Sequence, residues 1–162
     1  MSKVEWRSPD KPLLRENVKN VEKELGIHFP LDYIECVMKN NGAHVSPEVF
    51  EVEGKRKVFG TLLTYDMDDD ENIIEVFNDY NDTLPSALVP FAFDPAGNLI
   101  CFDYKNHEED PIVVFWEHEG AWEKETLMES EGITAEEVEE VARENVFYIA
   151  NNFTEFLNKL HD

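Results

Sequence analysis

The stretch DPAGNLICFDYKNH, Asp94–His107, admits opposed readings. A thiol, an imidazole and three carboxyl or carboxamide groups (Asp94, Asn98, Cys101, Asp103, His107) suggest a reactive cysteine with helpers, or a metal cluster. The same residues also read as a hairpin, and the spacing favours that. Asp94-Pro95-Ala96-Gly97 has Asp at the first position, Pro at the second and Gly at the fourth, the pattern of a type I turn with Gly in the left-handed region. Asp94 then has a local role, accepting backbone N–H groups of the turn. Closure there sets Phe93 opposite Asn98 and Cys101 near Pro90. Cys101 and Asp103 share a face but stand about 6.6 Å apart along the strand, whereas a nucleophile and its base need about 3 Å. His107 falls beyond the strand end, among Lys105, Asn106, Glu108 and Glu109. Cys101 therefore reads as an inert buried thiol in a central strand.

Working outward, ALVPFAF, NLICFDY, PIVVFWEH and AWEKETL read as four strands joined by short turns. NLICFDY and IVVFWE are apolar on both faces, which suits the middle of a sheet. Upstream, EVFEVEG and KVFGTLL read as short strands about a turn at Glu53-Gly54. Three earlier or intervening segments are helical. Leu14, Val18, Val21 and Leu25 fall at helical spacing and Gly26 ends that helix. Pro30 opens a second, with Leu31, Ile34, Val37 and Met38 as its stripe and Asn40-Asn41-Gly42 as its stop. DMDDDENIIEVFNDY reads as a third whose first turn is acidic, suiting a positive helix N-terminus. The C-terminal segment begins with a Thr134/Glu137 capping box. It carries one long helical stripe through Val146, Ile149, Ala150, Phe153, Phe156, Leu157 and Leu160.

This order predicts an α+β fold: a single domain over residues 13–162, behind a loose polar arm at 1–12. Its twisted, mainly antiparallel sheet has about six strands, packed with the N-terminal and C-terminal helices.

Composition narrows the function. No apolar run reaches the length of a membrane span, and MSKVEWRSPDKP lacks the apolar core of a signal peptide. Two cysteines make no disulfide framework, so a cytoplasmic location with reduced thiols is expected. The 36 acids against 14 Lys and Arg leave a net charge of −22, which argues against nucleic acid and anionic membranes. The same field favours a cationic partner, whose encounter rate it would raise.

Chemical motifs are wanting. His28, His44, His107, His118 and His161 lack ligand spacing. Asp66, Asp68 and Asp70 resemble the first ligands of an EF-hand loop, yet Glu71 stands where Gly is required and Phe77 where the bidentate Glu belongs. Glu117 and Glu119 flank His118 as solvated turn acids. There is no Gly-rich phosphate loop and no G-x-S-x-G elbow. The expectation is no enzyme, no cofactor and no metal.

A family resemblance adds to this. VEKELGIHFPLDYIECVMKNNGA resembles the opening of the SUKH superfamily, which includes the yeast cell-wall synthesis regulator and many bacterial toxin-immunity proteins. The matching points are Leu25-Gly26, Pro30-Leu31-Asp32-Tyr33 and Asn41-Gly42. LVPFAFDPAGNLICFDY, then PIVVFWEHEG, resembles the sheet core of that family, and VFYIANNFTEFLNKL its terminal helix. The likeness spans roughly residues 13–160. The departures are the arm and a polar insertion around Met128–Glu140.

The resemblance implies binding, not catalysis. The expected function is that of an immunity protein neutralising a cognate protein toxin, a basic one such as a nuclease, by direct contact. The alternative is a regulatory or scaffold module of the cell-wall synthesis type. For the contact surface the expected residues are Asp66, Asp68, Asp69, Asp70 and Glu71 with Tyr65 as aromatic anchor. The second expected group is Glu108, Glu109 and Asp110 with Tyr104. Asp79 with Asp82, Glu117 with Glu119, and the 129–140 segment are competing acidic clusters.

Overall fold

In the computed structural model, which describes residues 4–107, 109–119 and 121–162, the Asp94–Gly97 turn forms as its spacing requires. The Gly97 N–H donates to the Asp94 carbonyl at 3.2 Å, and Gly97 has φ +89°, open to glycine at no steric cost. Asp94 Oδ1 accepts from the N–H groups of Ala96 (3.0 Å) and Asn98 (2.8 Å). The strands it joins are β6 (Leu88–Phe93) and β7 (Leu99–Asp103), and β8 (Ile112–Trp116) follows.

The chain begins with β1 (Glu5–Arg7), then α1 (Arg15–Leu25) and α2 (Leu31–Asn40). Four short strands come next: β2 (His44–Ser46), β3 (Val49–Val52), β4 (Lys55–Val58) and β5 (Thr61–Leu62). Helix α3 (Ile73–Tyr80) precedes the central strands. After them come α4 (Lys124–Glu131), α5 (Ala135–Ala142), a 3-10 turn at Arg143–Asn145, β9 (Val146–Ala150) and α6 (Phe153–Asn158). The fold is α+β. Its main sheet has seven strands in the order β1-β2-β5-β6-β7-β8-β9, all neighbours antiparallel, and β3–β4 form a separate hairpin.

Four expectations need correction. First, Phe93 pairs with Leu99, not Asn98, because Asn98 remains in the turn; a bulge between Pro90 and Ala92 then restores Cys101 opposite Pro90. Second, the described part of the arm, from residue 4 on, is not loose. Glu5–Arg7 pair with His44–Ser46, Trp6 meets Phe59 edge-on at 6.0 Å, and the Leu13 N–H donates to the Met38 carbonyl at 2.8 Å. Third, AWEKETL contains no strand; Lys124–Glu131 is helical, as its Lys, Glu, Leu and Met content favours. Fourth, the long C-terminal helix is broken. Val146–Ala150 is the strand beside β8, and α6 starts afresh where Asn152 Oδ1 accepts the Glu155 N–H at 2.7 Å.

The core gathers on the face of the sheet covered by α2 and α6. Phe91 stacks on Phe102 with ring centroids 4.3 Å apart, and Tyr33 meets both rings and Phe153 edge-on. Such pairs add about 1 kcal/mol each beyond their area burial. On the other face, Trp116 packs edge-on against Tyr80 of α3 at 5.5 Å.

Candidate partner-binding surface

The acidic run before α3 lies outside that helix. Asn72 is the cap, its Oδ1 accepting the N–H groups of Ile74 (3.0 Å) and Glu75 (2.9 Å), so the first helical residue is Ile73. The first turn is acidic through Glu75, but the aspartate run expected within it lies ahead of the helix. Residues 66–71 form a loop held by its own short side chains. Asp66 Oδ1 accepts from the Asp68 N–H at 3.0 Å, and Asp69 Oδ1 from the Glu71 N–H at 2.8 Å. The loop is pinned at both ends, because the Ile73 N–H reaches back to the Thr64 carbonyl at 2.9 Å. All six residues are exposed. The carboxylates of Asp68, Asp70 and Glu71 have no hydrogen bond or ion pair among the described residues, so their charge faces solvent.

The second expected group follows β7. The Tyr104 N–H donates to the Ala87 carbonyl at 2.8 Å and the His107 N–H to the Tyr104 carbonyl at 3.0 Å. Glu109 and Asp110 are exposed in the loop beyond. Glu108 lies outside the described residues.

The tyrosines are not surface anchors. Tyr65 is 6% exposed and Tyr104 7%. The hydroxyls of Tyr65 and Tyr33 share a hydrogen bond at 2.7 Å, and the Tyr104 hydroxyl donates to the His28 carbonyl at 2.7 Å. Burial, then the nearby Glu22 carboxylate, pushes the Tyr104 phenol up; burial likewise raises Tyr65 and Tyr33. The buried state follows from position: Tyr65 continues the apolar run Leu62-Leu63 and Tyr104 ends the buried strand β7. These tyrosines sit within electrostatic reach of one another and of Glu22, so both acidic loops leave the core from one cluster.

Exposed apolar side chains stand elsewhere. Met67, between Asp66 and Asp68, is 52% exposed, and Trp122, between Ala121 and Glu123, is 62% exposed. Charged flanks, on both sides of Met67 and on the C-terminal side of Trp122, were the available signal. The structure also brings together acids far apart in the chain. The Lys124 N–H donates to the Asp82 carbonyl at 3.0 Å, so Asp82, Glu123 and Glu125 border one open cleft of about 270 Å³.

The thiol, imidazole and carboxyl groups of the Asp94–His107 stretch do not converge. Cys101 is fully buried; burial, then the Asp103 carboxylate, pushes its thiol well up. Burial pushes Cys36 up to about 12. Asp103 instead accepts two hydrogen bonds from Arg143, at 2.8 and 3.1 Å. Asn98 Oδ1 lies 2.7 Å from His118 Nδ1 and accepts the His118 N–H at 3.0 Å, linking the turn to the end of β8. Neither partner was visible in local spacing, since 40 and 20 residues separate the members. Among the described residues no group of three His, Cys, Asp or Glu is placed to hold a metal, and no helix is long and apolar enough to cross a membrane.

A seven-stranded antiparallel sheet packed with helices, with Cys101 sealed inside and Cys36 half-buried, defines a small α+β domain. The chain belongs to the SMI1 / KNR4 family (SUKH-1), whose model matches residues 12–159. It is similar to the SPbeta prophage-derived uncharacterized protein YokK of Bacillus subtilis (strain 168), at 26% identity over 165 residues, covering 91% of this chain and 74% of that protein.

Proposed function

We propose that this protein is a non-enzymatic immunity protein that binds a basic protein toxin through its acidic loops. The observation that carries the reading is the emergence of two acidic segments, the 66–71 loop and the segment with Glu109 and Asp110 after β7, from beside buried tyrosines. Three carboxylates of the first loop, on Asp68, Asp70 and Glu71, are left free for a partner. Family membership supports the reading, and so does similarity to a prophage-derived protein. In a chain of net charge −22 the loops sit in a field that draws cations inward. Met67 supplies an exposed apolar contact inside the first loop, the combination of rim charge and desolvated anchor that binding surfaces use.

The test is co-expression with the protein encoded beside it, followed by binding kinetics with that protein's C-terminal domain over a salt series. The reading expects protection of the host cell and a direct complex whose association slows with salt. Screening at 0.15 M shortens the field to about 8 Å. A complex without protection would favour a scaffold role. Absence of both would end the proposal.

A further inference from the structure

One groove in this strongly acidic chain is cationic. It runs along α1 with a volume of about 450 Å³. Arg15, Lys19 and Lys23 form its rim at successive intervals of four, and Ile27 and the exposed His28 close its end. The chain has 36 acids available, yet Lys19 and Lys23 pair with none among the described residues. Only Arg15 is engaged, at 3.4 Å from Glu22.

The groove is rigid at its closed end. The N–H groups of Gly26 (2.8 Å) and Ile27 (3.1 Å) both reach the Glu22 carbonyl, and Gly26 takes φ +73° to make that possible. Glu22 Oε2 accepts the Phe29 N–H at 2.7 Å, and the Tyr104 hydroxyl holds the His28 carbonyl. The buried Glu22 carboxylate is thus turned into the loop. On the opposite side of α1, Glu24 lines a different groove with Asn17 and Asn20.

We propose that this groove docks an extended acidic peptide segment of a partner protein. Spacing and charge argue for that occupant. Residues four apart on a helix rise about 6 Å, so the three cations span about 12 Å, more than a single phosphate or carboxylate covers. Alternate side chains of an extended strand are spaced about 6.6 Å apart and share one face. Carboxylates at three alternate positions therefore match Arg15, Lys19 and Lys23 in turn. The next side chain on that face lies over Ile27, where an apolar residue fits. The proposal is independent of the acidic-loop reading, because its cations lie on one face of α1 while Met67 of the acidic loop lines the separate groove of Asn17, Asn20 and Glu24.

The test is fluorescence anisotropy with a labelled peptide carrying aspartate at three alternate positions and leucine at the next. It uses the full chain at about 0.15 M salt. A peptide with lysine for aspartate is the control, and inorganic phosphate the competitor. The expected result is saturable binding of the aspartate peptide alone. Lys19→Glu with Lys23→Glu weakens it about tenfold or more, and the Gln pair weakens it less. Substitution of Asp68, Asp70 and Glu71 leaves it unchanged. Both lysines are exposed, so the thermal midpoint should hold in every variant. Three results would overturn the proposal: no saturable binding, binding indifferent to the lysine substitutions, or displacement by millimolar phosphate, which marks a small-anion site.

Discussion

Arg143 grips both oxygens of Asp103, with Nη1 2.8 Å from Oδ2 and Nη2 3.1 Å from Oδ1, and the same Nη2 donates to the Ser86 carbonyl at 3.1 Å. One side chain thus fastens the turn after α5 to the end of β7 and to the loop before β6. Removing it strands a nearly buried carboxylate. Arg143→Ala is expected to cost about 2–3 kcal/mol in urea unfolding, below the cost at a fully buried pair because Arg143 retains solvent contact. Arg143→Lys should recover part of the loss, since the charge returns without the two-pronged geometry. Equal stability of all three proteins would show the pair to be neutral.

The acidic loop separates into structural and free carboxylates. Asp66 and Asp69 bond to their own backbone, and each Ala substitution should cost about 1 kcal/mol, comparable to loss of a helix cap. Asp68→Asn, Asp70→Asn and Glu71→Gln together should leave the melting temperature within a degree or so of the parent. They should lower the on-rate for the basic partner several-fold at low salt. Calorimetry and stopped-flow binding read the two effects apart.

Neither thiol is poised to react. Cys101 is sealed in the sheet, and Cys36, half-buried, has its thiol pushed up by burial, opposed by a hydrogen bond from Asn40. At pH 7 a disulfide reagent should label the native protein far more slowly than a free cysteine, and label both residues promptly in guanidinium. Rapid labelling of one thiol in the native state would contradict the sealed core.

His161 should titrate above its ordinary value. The hydrogen bond to Glu51, with Nε2 2.5 Å from Oε2, is the main cause, followed by the backbone carbonyl of Asp162. A pKa raised in the folded state gives stability that is complete below the unfolded pKa and disappears as pH rises through the folded one. The imidazole is solvent-exposed, so the stability effect is small and NMR is the proper readout. Glu51→Gln should move the His161 resonance midpoint downward.

The centre of the molecule was legible because its signals are local. Asp94-Pro95-Ala96-Gly97 names its own turn, and the runs of Val, Ile and Phe on either side leave no face for water. The edges were not. Val146 and Ile149 fit helical spacing, yet VFYIA is rich in β-branched and aromatic residues and finds Val113–Trp116 to pair with. That partnership depends on a strand about thirty residues earlier, which no window of spacing reveals. For the candidate surface, exposure was easier to read from the sequence than burial. Charge marked the exposed loops, but Tyr65 and Tyr104 were assigned by proximity in sequence. Burial depends on where the preceding strand points, and it turned both rings inward.

The late position of α6 bears on how the chain is made. Phe153 and Phe156 supply the last rings of a cluster whose other members, Tyr33, Phe50, Phe59, Phe91 and Phe102, are synthesised much earlier. On the ribosome the central hairpins can pair as they emerge, since their strands are consecutive. Their aromatic face stays only partly covered, by α2, until the final helix leaves the exit tunnel. During that interval the nascent chain exposes its stickiest surface, and its dense negative charge is then an asset, keeping unfinished copies on neighbouring ribosomes apart.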